Sequence, residues 1–321
     1  MKILITGATG FVGAALVHRL AKVPQVEIVA AVRQPASGHG SKIKFARIED
    51  IAPLTDWGDA LKDVEVVIHT AARVHVMRDT VADPLAEFRR VNVEATLNLA
   101  RQAAAAGVHR FVFISSIKVN GEGTCTGARY LADDEPAPAD PYGISKAEAE
   151  RGLRALAVET GIDVVIIRSP LVYGSGVKGN FLSMMRWLCR GVPLPFGAIY
   201  NRRSLVALDN LVDLIVTCVE HPAAANQIFL VSDDEDLSTT ELFRRMGEAL
   251  GKPARLLPVP AWVLMTGAAL LGKRALSQRL CGSLQVNISK TKSLLGWSPL
   301  VSVNDGLRDA AQYFLTSDGT Q

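Results

Sequence analysis

The chain begins with the apolar run "KILIT" and then sets Gly7, Gly10 and Gly13 into "TGATGFVG". A strand that ends in regularly spaced glycines and continues as "GFVGAALVHRLAK" leaves little choice of local structure. The chain must turn tightly, bring its backbone close to whatever lies above the turn, and present a helix N-terminus there. The G-x-x-G-x-x-G spacing between strand and helix predicts a turn for the pyrophosphate of a dinucleotide, held by Gly7, Thr9, Gly10, Phe11, Val12 and Gly13.

Further along, "EIVAAV", "VEVVIHT", "RFVFISS" and "DVVIIRS" read as strands, several apolar throughout, with helical stretches between them. Strands apolar on both faces that alternate with helices predict a parallel sheet covered on both sides. The fold class is therefore α/β, a doubly wound parallel sheet of the Rossmann kind, with a smaller mixed α/β C-terminal substrate lobe. The boundaries are 1–172 for the dinucleotide half, rejoined by about 205–232, and 173–321 for a discontinuous second lobe, where "GVPLPFG" and "LLPVPAW" change the texture of the chain.

Composition narrows the function classes. Thirty-five Lys and Arg against 32 Asp and Glu give a net charge of +3 without long blocks of one sign, so a nucleic-acid face is not expected. Cys125, Cys189, Cys218 and Cys281 stand far apart, which argues against a zinc site or a disulfide framework and suits a reducing cytoplasm. No metal is expected. The longest uncharged stretch, "LLPVPAWVLMTGAALLG" from Leu256 to Gly272, is too broken by Pro and Gly to cross a bilayer. Burial in the core is the expectation for it, and contact with a membrane surface the alternative.

"DPYGISK" carries the chemistry. Asp140 can cap a helix that starts at Pro141, which places Tyr142 and Lys146 one turn apart on one face. An ammonium about 4 Å from a phenol is worth roughly 4 kcal/mol to the phenolate at an effective dielectric near 20, about three pKa units. On that reading Tyr142 becomes an acid or base usable near neutrality. At the end of the second strand Val32 stands where many dinucleotide folds carry the carboxylate that binds the adenosine ribose, and Arg33 follows. A guanidinium there suits a 2′-phosphate, so NADP(H) is favoured over NAD(H).

Taken in order, "TGATGFVG", "HTAA", "VNVEATLN", "ISSIKVNG" and "YGISK" resemble the extended short-chain dehydrogenase/reductases of the NAD-dependent epimerase/dehydratase family. The resemblance implies catalysis by Ser116, Tyr142 and Lys146, with Ala71, Ala72 and Asn92 joining the cofactor site. It implies a UDP-sugar substrate held by Asn180, Phe196, Arg202 and Arg279, with Phe196 against the uracil, and a homodimer. Ile117 and Lys118 occupy the positions where 4,6-dehydratases carry Asp-Glu, which speaks against dehydration, and Asn120 replaces a usual tyrosine. The style of the chain is similar to a bacterial O-antigen and capsule subgroup. The expected activity is a 4-ketoreductase of a UDP-4-keto-6-deoxy-N-acetylhexosamine, with a 4-epimerase, in some members acting on a lipid-linked sugar, as the alternative. A non-catalytic dinucleotide sensor is the third reading.

Overall fold

A computed structural model describes residues 1–34, 42–74, 83–125, 127–272 and 274–318. The main sheet is built from β1 (Lys2–Thr6), β2 (Glu27–Val32), β3 (Ile43–Arg47), β4 (Val66–His69), β5 (Arg110–Ser116), β6 (Asp163–Ser169) and, after two strands that lie elsewhere, β9 (Ile228–Leu230). Its order is β3-β2-β1-β4-β5-β6-β9, and every pairing is parallel.

Alternation along β1 explains the two layers around it. Ile3 and Ile5 face the cluster that holds α1 (Phe11–Leu20), whereas Leu4 faces the opposite one. After the short α2 (Gly58–Leu61) and α3 (Pro84–Arg89), the opposite layer is made by α4 (Ala95–Ala105) and α5 (Pro141–Thr160). All three residues are fully buried, as a parallel sheet sandwiched by helices requires.

The second lobe contains α6 (Gly179–Cys189) and a small mixed sheet of β7 (Leu171–Tyr173), β8 (Arg203–Ala207) and β10 (Asp236–Leu237), in the order β10-β8-β7. The chain returns to the main sheet as α7 (Leu208–Glu220), which packs with α1 in one cluster, and as β9. The lobe is completed by α8 (Thr239–Ala249), α9 (Ala261–Leu270), α10 (Arg274–Cys281), α11 (Ser289–Leu295) and α12 (Val303–Asp318).

One expectation is corrected here. The apolar stretch from Leu256 to Gly272 is not a core helix: α9 contains no buried residue, and Trp262 is 70% exposed. Ala261 and Leu264 touch the second-lobe core and α10 packs beside α9, yet Trp262, Leu270 and Leu271 stay exposed. Among the described residues no helix is long and apolar enough to cross a membrane.

Candidate active site

The sheet order reverses at β1, whose neighbours are β2 on one side and β4 on the other. Crevices at such switch points, outside the carboxyl ends of the strands, are where this architecture binds ligands. The glycine turn lies there. Gly7 has φ +67°, and a Cβ on it would stand 2.7 Å from Thr70 Oγ1 and 2.9 Å from the Ala71 nitrogen. A Cβ on Gly13 would be 2.1 Å from the Gly7 carbonyl oxygen, so the turn folds back on the helix it starts. The Gly10 amide donates to the same carbonyl at 2.8 Å.

Gly10 caps α1 without a side-chain hydrogen bond, and the first turn of the helix carries no acid. Uncapped amides, no carboxylate and no side chain above the glycines fit a diphosphate. Thr9 and Gly10 are exposed, Val12 leans on the main core, and Phe11 touches both the main core and that of the second lobe. Ala71 and Ala72 follow β4, Ala71 directly opposite Gly7. Arg33 is exposed just beyond β2.

Asn92 has a different post from the one expected. It sits buried in a π-helical turn, Arg90–Glu94. Its amide group donates to the Arg73 carbonyl at 3.1 Å and to Ser145 Oγ at 3.0 Å, while its oxygen accepts from the Arg73 amide at 2.8 Å. Both amide hydrogens are thus committed, and Asn92 ties the segment after β4 to α5.

The catalytic candidates converge where β5 ends and α5 begins. Asp140 caps α5, accepting from the Gly143 amide at 2.7 Å, and Pro141 takes the first helical position. Ser116, the last residue of β5, accepts from the Lys118 amide at 3.3 Å and hydrogen-bonds Tyr142. The Lys118 ammonium pairs with Asp140 and, at 3.1 Å, with Glu122. Lys118 therefore ties the serine turn to the cap of the tyrosine helix, a role that its place in "ISSIKVNG" did not reveal.

The electrostatics differ from expectation. Burial, followed by the Asp140 carboxylate, pushes the Tyr142 phenol up to about 12, and the Ser116 hydrogen bond offsets only part of this. Lys146 is buried, with its Nζ 4.0 Å from the centroid of the Phe113 ring, and burial lowers its ammonium to about 7 against the opposing pull of Glu150. The anticipated lowering of the phenol by Lys146 does not occur: burial and the Asp140 carboxylate raise the phenol, and burial disfavours the charged ammonium that would have lowered it.

Two buried groups that the sequence did not single out complete the floor. His69 hydrogen-bonds Thr6 Oγ1 through Nδ1 at 2.7 Å and Thr96 Oγ1 through Nε2 at 3.0 Å, and stacks on Phe113. Burial, reinforced by the Lys146 charge, lowers it to about 3. One turn beyond Lys146, the buried Glu150 accepts two-pronged bonds from Arg168 on β6, the shortest 2.7 Å, and one from Ser115 at 2.5 Å. Arg168 also donates to Asn120 at 3.0 Å, and Asn120 donates to the Leu131 carbonyl at 3.0 Å. The asparagine in place of tyrosine thus serves this buried network.

In the second lobe the sequence reading needs two corrections. Arg202 is exposed and lies with Tyr200, Glu241 and Arg244 along an outer cleft of about 370 Å³. Its neighbour Arg203 turns the other way, as alternation at the start of β8 requires. Arg203 donates to the Gly282 carbonyl at 3.0 Å and feels the charges of both Glu122, in the loop after Ser116, and Arg279. Burial and Arg279 lower the Arg203 guanidinium, so two like charges meet in a partly desolvated place facing the catalytic loop. Phe196 is buried in the second-lobe core, its ring 5.0 Å from that of Phe243, and offers no free face to a base. The exposed aromatic nearby is Tyr200, on the outer cleft. Asn180 is exposed in the first turn of α6, a helix whose N-terminus has no side-chain cap. Among the described residues no group of three His, Cys, Asp or Glu side chains is placed to hold a metal ion.

Comparison with known proteins agrees with this arrangement. Residues 3–232 match the model of the NAD dependent epimerase/dehydratase family. The chain is 51% identical over 317 residues to a UDP-glucose 4-epimerase of Vibrio cholerae, covering 98% of this chain and 96% of that protein. It is 26% identical over 328 residues to the N-acetyl-alpha-D-glucosaminyl-diphospho-ditrans,octacis-undecaprenol 4-epimerase of Escherichia coli O157:H7, covering 97% of this chain and 94% of the other. Among solved structures it superposes on UDP-glucuronic acid 4-epimerase from Bacillus cereus, in complex with UDP-glucuronic acid and NAD, with a TM-score of 0.79 at 25% identity, covering 98% and 99% of the two chains.

Proposed function

The chain belongs to the NAD dependent epimerase/dehydratase family, and we propose that it acts as a 4-epimerase on a UDP-linked hexose. The observation that carries this reading is the convergence of Ser116, Tyr142 and Lys146 beside the glycine turn in a chain half identical to a UDP-glucose 4-epimerase. The 4-ketoreductase expected from the sequence takes second place.

A nicotinamide dinucleotide bound here would supply the hydride chemistry at C4 of the sugar. The residues from Gly7 to Gly13 would hold its pyrophosphate, with Ala71 beside the turn and Arg33 beyond β2. Asn92 acts through the segment it holds in place. Tyr142 exchanges the proton on the sugar O4, Ser116 orients that oxygen, and Lys146 lies one turn behind the phenol to complete the path for the proton. The phenol stands near 12 and the buried amine near 7, so of the two Lys146 is the one that exchanges a proton readily around neutral pH. Arg203, Arg279 and the first turn of α6 with Asn180 grip the substrate diphosphate.

The second reading, an NADP(H)-dependent 4-ketoreductase of a UDP-4-keto-6-deoxy-N-acetylhexosamine, is favoured by one observation: β2 ends at Val32 with no carboxylate, and Arg33 is exposed beside it. One experiment separates the two. The purified protein is denatured and the released nucleotide identified, then the protein is assayed on UDP-glucose. Near-stoichiometric NAD and interconversion of UDP-glucose with its C4 epimer support the first reading. An exchangeable NADP(H) site with no such interconversion sinks it and favours the second.

A further inference from the structure

The outer face of α9 has no place in the chemistry above. Trp262, Leu270 and Leu271 are 70%, 84% and 74% exposed, and Met265 and Leu257 also face solvent. A Trp, a Met and three Leu left open on one short segment exceed the scattered apolar exposure of an ordinary surface.

The charge around this face has one sign. No Asp or Glu occurs between Glu248 and Asp305, and Lys252, Arg255, Lys273, Arg274 and Arg279 flank α9 along the chain, whereas Lys290 and Lys292, on α11, pair with Asp133 and Asp234. Lys252 and Arg255 are exposed at the approach to α9, and Arg190 at the end of α6 is exposed too. The approach is joined to that end of α6: Leu194 donates to the Arg255 carbonyl and Leu257 to the Leu194 carbonyl, each at 2.8 Å. Trp187 and Val192, exposed on the α6 side of this junction, extend the apolar area. An exposed apolar segment with Trp and Leu outward, flanked along the chain by cations and by no carboxylate, combines the aromatic and cationic groups that favour contact with an anionic bilayer surface.

We propose that α9, with the cationic approach of Lys252 and Arg255, is a docking face for an anionic membrane surface. The segment before α9 is bonded to the chain that borders the outer cleft, Gly197 donating to the Leu257 carbonyl at 2.8 Å. The segment after it carries Arg279 and leads to Gly282, which accepts from Arg203. Docking therefore holds the substrate lobe at the membrane. The docking needs only this surface; its bearing on substrate rests on the reading in the preceding section.

The test is co-sedimentation of the full chain with vesicles of phosphatidylcholine alone, or of about three parts phosphatidylcholine to one of phosphatidylglycerol. The wild type is expected to sediment with the anionic vesicles and to be released by salt. The double substitution Trp262→Glu and Leu270→Glu is expected to lower the bound fraction about tenfold or more, and Lys252→Glu with Arg255→Glu to act in the same direction. Neither pair should alter turnover of a soluble UDP-sugar, so loss of docking and loss of the catalytic reading are separable. A wild type that stays in the supernatant with both vesicles overturns the proposal, as does retention of binding by both double variants. A wild-type dimer that the Trp262 and Leu270 substitutions dissociate, seen by sedimentation velocity, also overturns it and assigns the face to a second copy.

Discussion

At the scale of single residues, the site is governed by desolvation. Tyr142→Phe should lower kcat by about 10²–10⁴ with little change in cofactor content, as expected for loss of one proton-transfer group. His69 supplies a pH signature. Its folded-state value of about 3 lies below the ordinary 6.5, so the unfolded chain binds the extra proton first as the pH falls. Stability should be fully present above pH 6.5 and drain away towards pH 3, by a few kcal/mol at most. His69→Gln should flatten that slope in urea titrations run at several pH values, even if its baseline is lower. The arginine doublet gives a third prediction: Arg203→Ala should raise KM for a UDP-sugar roughly tenfold to a hundredfold, and Arg202→Ala by no more than about twofold. A reversed order would return the diphosphate grip to Arg202. The doublet also marks where sequence reading stops. Residue types announced a guanidinium here, but adjacent residues at the edge of a strand point to opposite sides, and only the register of β8 against β10 decides which one turns inward. Phe196 failed similarly, since an aromatic beside Pro and Gly reads the same whether it stacks on a base or on Phe243.

At the scale of elements, α5 is the best specified piece of the chain. Its cap, its first-turn proline and its terminator, Gly161 in the left-handed region at φ +78°, follow from local chemistry. That is why Tyr142 and Lys146 were legible. Asp140→Ala removes both the cap and the partner of Lys118, and should cost about 1–2 kcal/mol in thermal unfolding. It should also lower the Tyr142 pKa, because the Asp140 carboxylate raises it; a spectrophotometric phenol titration would show this. The buried Glu150–Arg168 pair joins α5 to β6, and Glu150→Gln should destabilise by roughly 3–5 kcal/mol by leaving the guanidinium uncompensated. Glu150→Leu with Arg168→Met should recover most of that loss, and failure to do so would mean that the pair does more than neutralise itself. Elements with weak local signatures were missed. β3 is an edge strand, half-exposed along "IKFAR", so it lacks the apolar run that announced its neighbours. α9 was misread in the opposite sense: apolar composition reports what a segment would bury, not whether the fold provides something to bury it against.

At the scale of the molecule, the two halves meet at the glycine turn. Phe11, the first residue of α1, rests on both the main core and the second-lobe core. Binding at the turn is therefore felt by both halves. NAD at a hundred times its dissociation constant should add about 2.7 kcal/mol and raise Tm by several degrees as one transition rather than two. Scanning calorimetry that showed the lobes melting apart would contradict this. The sheet has a further consequence, one of timing during synthesis. β6 ends at Ser169, yet the strand that closes its outer edge, β9, begins only at Ile228. Translation at roughly 5–20 residues per second leaves "DVVIIRS" with one open edge for several seconds while part of the second lobe emerges from the ribosome. A nascent chain stalled in that interval presents an Ile- and Val-rich strand edge to any neighbouring copy, an opening for edge-to-edge pairing that the native sheet later closes.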